Sequence, residues 1–172
     1  MTLNKSGMRH PNTLLTAFRG TSSEKLVSCF SGEFHKLILE NHKEKSVDQL
    51  VQLLNCNNFD YVISFGQKPV IRDKLYIELV GKINDVSYKT DFDIDKLTAS
   101  LKSSRFSVHI SNNAGTSFCN NIYAHGLKYL EENDCKTKMI FIHVPFEKNI
   151  SDFDDFSGKL TKAVDEFINS QI

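Results

Sequence analysis

Short apolar runs alternate along this chain with segments whose apolar residues recur at helical spacing, and that alternation limits the fold more than any other feature. Thr13–Phe18 reads as a buried strand, followed by a turn at Arg19-Gly20. Ser22-Ser23-Glu24 offers helix-start chemistry ahead of Leu26, Val27 and Phe30, and Phe34–Leu39 reads as a second strand. After a polar run over 40–45, Ser46 opens a helix with Val47, Leu50, Val51 and Leu54 on one stripe. Residues 61–65 are strand-like and end in Gly66-Gln67, and 74–80 alternate as a half-exposed strand suited to a hairpin. A helix over 93–101, a strand over 106–110, a helix over 117–133, a strand over 138–144 and a closing helix over 154–168 complete the pattern. The spacing predicts one domain over 1–172: a three-layer α/β/α sandwich with a mainly parallel mixed sheet.

Charge excludes some functions. Twenty-one basic side chains balance 21 acidic ones, with no basic block, so no nucleic-acid partner is expected. Apolar runs such as 139–142 are far shorter than a membrane span. Residues 1–12 lack the apolar core of a signal peptide, so the expected location is cytoplasmic, without a membrane partner. The four cysteines, Cys29, Cys56, Cys119 and Cys135, show neither CxxC pairing nor zinc-like spacing with histidine. They read as free thiols, and no metal or cofactor is expected.

In sheets of this class, functional residues gather where strands end and helices begin. Phe18-Arg19-Gly20, Gly66-Gln67, the turn before Cys119 and His143-Val144-Pro145 all occupy such places. With parallel strands, the four meet along one edge. Cys119 opens a helix, where unpaired N–H groups and the dipole favour thiolate and labelling well below pH 8. On position alone, the first reading is a small buried hydrophobe. His143 ends an apolar strand and suits a general base, or a buried histidine satisfied by backbone. Glu78, between Ile77 and Leu79, suits the group that orients the base, or an exposed strand-face glutamate. His125 points elsewhere on its helix, and His109 reads as a structural mid-strand residue.

Ser111, Ala114-Gly115-Thr116, Ser117-Phe118 and Cys119-Asn120, followed by Phe141-Ile142-His143-Val144-Pro145, closely resemble the signature of pyroglutamyl peptidase I, the C15 cysteine peptidases. Gly66-Gln67, Arg72 and Glu78 fit that family's third motif with one inserted residue, and Leu14 to Phe18 resembles its opening strand. The resemblance implies a hydrolase that removes N-terminal pyroglutamate from peptides without metal or cofactor. In it Cys119 is the nucleophile, His143 the base and Glu78 the orienting carboxylate. Phe18, Gln67, Phe118 and Ser117 are the candidate substrate-binding residues. The expected partner is a peptide or small acyl-amide, and self-association is left open. Three differences stand out: Phe18-Arg19-Gly20-Thr21 replaces a longer glycine-rich turn with a second phenylalanine, Ser117-Phe118 replaces phenylalanine-valine, and the segment between Glu78 and Cys119 is shorter. They make weak, poorly selective pyroglutamyl cleavage the expectation. The alternative is a catalytically weak or inactive homologue that serves as a binding or assembly module.

Overall fold

The computed structural model describes residues 9–172, so most of the stretch read for a signal peptide lies outside the described residues. Among the described residues, eight strands occur in chain order: β1 (Thr13–Phe18), β2 (Phe34–Leu39), β3 (Tyr61–Lys68), β4 (Lys74–Glu78), β5 (Val80–Ile83), β6 (Val86–Lys89), β7 (Ser107–Ser111) and β8 (Lys138–Pro145). Six of them form one sheet in the order β2-β1-β3-β8-β4-β7, and β5 pairs with β6 alone. The pairings β2-β1, β1-β3, β3-β8 and β4-β7 are parallel, and β8-β4 is antiparallel. The sheet is therefore mixed and mainly parallel, as expected.

Helices α1 (Ser22–Cys29), α3 (Ile94–Ser103) and α5 (Phe153–Asn169) cover one face, and α2 (Lys43–Cys56) and α4 (Phe118–Glu132) the other. Alternate strand residues serve opposite cores. Ile63, Phe65, Leu75, Ile77, Ile140 and Ile142 pack toward α1, α3 and α5. Val62, Met139 and Phe141 pack with Leu50, Ile122 and Tyr123 toward α2 and α4. Burial on both faces explains why these strands read as nearly continuous apolar runs.

The structure corrects four readings. Helix α2 starts at Lys43 rather than Ser46, because the His42 ring accepts the Lys45 N–H and caps it three residues earlier. Strand β3 runs through Lys68, so Gly66-Gln67 lies inside a strand and not at its end. Over 74–80, β4 stops at Glu78. Leu79 then donates its N–H to Ser111 O at 2.7 Å and accepts one from Thr90, and Val80 begins the separate β5-β6 hairpin. Asn84, with φ +52°, supplies the left-handed residue of its turn. Finally, the four strand-end features do not share one edge. The ends of β1, β3 and β8 do, but β7 runs the opposite way, so the 112–117 loop leaves from the reverse end.

The hairpin is fixed by close backbone approach. A Cβ on Gly81 would lie 2.6 Å from Ala124 Cα and 2.7 Å from its N, so only glycine lets β5 rest on α4. Gly81→Ala is expected to destabilise by roughly 1–3 kcal/mol through overpacking and to lower the melting temperature by about 2–10 °C. Unchanged melting by calorimetry would show that the hairpin is not pressed against α4.

Candidate active site

The apolar strand β8 carries Phe141 and His143 on its α4 face, with His143 only 3% exposed. Because β4 is antiparallel to β8, Tyr76 pairs with His143 and Glu78 with Phe141. Glu78 is thus the diagonal neighbour of His143 on the same face. Its Oε1 lies 2.7 Å from His143 Nδ1. Lys68 Nζ stands 3.6 Å from the same oxygen, while the buried Oε2 has no hydrogen-bond partner at direct distance.

Burial pushes the Glu78 carboxyl up. The hydrogen bond from His143, the Ser111 hydroxyl and the charges of His143 and Lys68 outweigh it, leaving the group below its ordinary range. An ionised Glu78 accepts a hydrogen bond from Nδ1–H, which leaves Nε2 as the nitrogen free to exchange protons. The exposed-glutamate reading fails, since Glu78 has no solvent exposure.

Cys119, 7% exposed, is the second residue of α4. A Cβ on Gly66 would lie 2.6 Å from Cys119 Sγ and 2.6 Å from the Phe141 ring, so the bare strand position lets the thiol settle against the sheet. Gly66 pairs with His143 across β3 and β8, which brings Cys119 to the face that carries His143 and Glu78. Polar ties hold the start of α4 there. Asn120 Oδ1 accepts the Lys82 N–H and its Nδ2 donates to Lys82 O, each at 2.8 Å. Asn121 Nδ2 donates to Lys43 O at 3.0 Å, and the Tyr123 hydroxyl donates to Glu78 O at 2.8 Å. Ser117 is the N-cap but makes no side-chain cap bond, so its hydroxyl does not consume the first N–H groups of α4.

The thiolate expected at a helix start is not the resting form. Burial pushes the Cys119 thiol up, Glu78's charge adds to this, and the Ser117 hydroxyl and Lys68 offset only part, leaving it at about 12. A thiol withdrawn from water gains less from the dipole than it loses in hydration.

Among the substrate-binding candidates, Phe18 and Phe118 come together with ring centroids 6.0 Å apart, tilted by 43°. Phe118 is 37% exposed and Phe18 buried. Ser117 adjoins them at the helix start. Gln67 turns to the other side of the sheet: its Oε1 accepts the Ser22 N–H at 3.0 Å and Ser22 Oγ at 3.2 Å. Its side chain is therefore bound to the start of α1. His109, read as structural, is exposed on β7 with its ring centroid 4.5 Å from that of Tyr76 and tilted by 41°. Sequence reasoning missed Lys68 and gave no site role to Tyr76 or Asn120. A glycine inside a strand pattern was the available signal for Gly66.

All four cysteines are free, and among the described residues no group of three His, Cys, Asp or Glu is placed to hold a metal ion. No helix of the described residues is long and apolar enough to cross a membrane.

The pyroglutamyl peptidase family model matches residues 73–165, more than half of the chain. A pyrrolidone-carboxylate peptidase from Thermosipho melanesiensis is 33% identical over 128 residues, which cover 61% of this chain and 62% of the relative. One from Fusobacterium nucleatum is 30% identical over 94 residues, covering 54% and 41%. The match thus spans less than two thirds of either relative's length. Two solved structures share the fold. Pyrrolidone carboxyl peptidase from Fervidobacterium islandicum has a TM-score of 0.79 at 22% identity, covering 94% of this chain and 98% of its own. Pyroglutamyl peptidase I from Bacillus amyloliquefaciens has 0.78 at 17%, covering 92% and 97%. On the extent of the family match, this chain belongs to the pyroglutamyl peptidase family.

Proposed function

We propose that the chain is a cysteine peptidase that removes N-terminal pyroglutamate, or a similar small acyl group, from peptides in the cytoplasm. The observation that carries this reading is the 2.7 Å contact between buried Glu78 and His143, on the sheet face against which the Cys119 thiol rests. Because the resting thiol is neutral, His143 acts as a general base at the moment of attack. Nε2 takes the Sγ proton as sulfur adds to the acyl carbonyl. N–H groups at the start of α4 hold the oxyanion. The tetrahedral adduct collapses, the C–N bond breaks, and the nitrogen leaves with the proton from Nε2. Water then attacks the thioester, giving its proton to Nε2, and the acid departs as Sγ recovers a proton. Glu78 keeps the imidazole in the required tautomer throughout.

A second reading, an inactive homologue that binds or assembles, draws support from the same thiol. It is buried, and its resting form is the poor nucleophile.

The two readings separate on a panel of fluorogenic pyroglutamyl, prolyl and acetyl amides. The expected result is weak pyroglutamyl turnover with a high KM and poor discrimination among small acyl groups. The Phe18–Phe118 pair supplies only part of an aromatic wall, and a fully buried side chain of this size is worth about 1.5–3 kcal/mol. Tight, selective cleavage would mean that the wall is better built than this.

Cys119→Ala should abolish turnover while leaving the circular dichroism spectrum unchanged, and Glu78→Gln should lower kcat by less. Equal activity in wild type and Cys119→Ala places the nucleophile elsewhere.

Iodoacetamide labelling tests the protonation state. Mass mapping should find exposed Cys29, Cys56 and Cys135 labelled first. Cys119 should react slowly at pH 7 and faster by about tenfold per pH unit, as expected of a thiol far below its pKa. A rate for Cys119 that levels off below pH 8 contradicts the neutral resting thiol.

A further inference from the structure

Resting on the peptidase reading above, we propose that the open face of β4 and β7 beside His143 is the leaving-group subsite, and that Lys68, Lys74 and Tyr76 make it select leaving groups bearing a carboxylate. The sheet order sets the layout. Phe18 on β1 and Phe118 at the start of α4 form the acyl side, and Cys119 rests over Gly66 on β3. His143 on β8 comes next, then β4 and β7. The departing nitrogen must take its proton from His143, so the rest of the leaving group lies on the side of His143 away from the acyl wall.

That side is one register row. Gly66, His143, Tyr76 and His109 are successive partners across β3, β8, β4 and β7, all on the α4 face. Tyr76 is half-buried and His109 exposed, their rings 4.5 Å apart, so the row ends in an aromatic surface open to solvent. Two cations border it. Lys68, two residues beyond Gly66, places Nζ 5.1 Å from the Tyr76 ring centroid, and Lys74, two residues before Tyr76, places Nζ 5.7 Å from it. Lys68 is tied to buried Glu78 at 3.6 Å, whereas Lys74 forms no ion pair among the described residues. Both ammonium groups thus sit over the one Tyr76 ring, and together they offer positive charge to an anion at the open end of the row. The ligand chemistry is a carboxylate, from an acidic side chain or from a free chain terminus.

Pyroglutamyl-Glu-amide, pyroglutamyl-Gln-amide, pyroglutamyl-Lys-amide and pyroglutamyl-Gln with a free carboxylate separate the two sources by product analysis. Wild type should favour carboxylate-bearing over basic leaving groups by about 3- to 10-fold in kcat/KM, mainly through KM, the range for one or two partly exposed ion pairs. Lys74→Glu should invert that preference and Lys74→Arg should keep it. Equal kcat/KM for the acidic and basic amides, or an unchanged preference in Lys74→Glu, overturns the proposal. Turnover of none of these peptides or of the fluorogenic panel defeats the peptidase reading instead. Calorimetric binding to Cys119→Ala then decides the subsite alone: tighter binding of pyroglutamyl-Glu-amide than of pyroglutamyl-Lys-amide supports it, and equal or absent binding overturns it.

Discussion

Glu78 has no solvent exposure, and much of the surrounding geometry follows from what an ionised carboxylate needs in that position. Stripped of water, the charge costs several kcal/mol unless it is matched, and breaking such a pair from one side costs about 3–5 kcal/mol. The antiparallel register of β4 on β8 supplies the match by making His143 the diagonal neighbour of Glu78. Lys68, on β3 at the other side of β8, adds a cation 3.6 Å from Glu78 Oε1. The Tyr123 hydroxyl donates to the carbonyl of Glu78 itself, tying that residue to α4. A slip of β4 by one residue would turn Glu78 into the opposite, apolar core. The pair therefore specifies register as well as chemistry.

The thiol depends on the same charge in the opposite sense. Burial and the Glu78 carboxylate both disfavour thiolate at Cys119, so a nucleophilic role for it requires a base to take the proton. Such a site needs placement more than pre-ionisation. Placement comes from the missing Cβ at Gly66 and from the two hydrogen bonds that lock Asn120 to Lys82. The hairpin β5-β6 is thus part of the site's scaffold, since its backbone holds the first turn of α4.

What was legible in the sequence was local. The helical stripe after Cys119, the apolar run into His143 and the β-α alternation each depend on residues close in the chain, and the structure keeps them. Pairing direction is not local. Nothing in 74–80 announces that β4 opposes β8, or that Leu79 leaves the strand to bond Ser111 and Thr90. Parallel strands were the expected route by which Cys119 would meet His143, yet it is the loop after a reversed β7 that delivers α4 over the sheet face carrying Gly66 and His143. Gln67 shows the same limit: its position beside Gly66 was readable, but the alternation that turns it toward Ser22 on the far face required the strand to continue through Lys68.

The reversal of β4 also explains how two lysines from different strands reach one ring. Lys68 ends β3 and Lys74 begins β4, so the 69–73 connection alone separates them in sequence. That connection is pinned. Asn149 Nδ2 donates to Pro69 O at 2.9 Å, the Asp73 N–H donates to Asn149 O at 3.1 Å, and the Ser151 N–H donates to Asp73 Oδ1 at 2.7 Å. The Ser151 hydroxyl and N–H hold the Asp73 carboxyl below its ordinary range, keeping an ionised acceptor at a residue whose φ is +48°. Asp73, the residue before Lys74, is turned toward Ser151 and forms no ion pair with either lysine above Tyr76. A parallel β4 would need a long crossover and would carry its first residue to the opposite edge of the sheet. The antiparallel step is what puts a second cation at the carboxyl edge of β8, beside the imidazole that Glu78 orients.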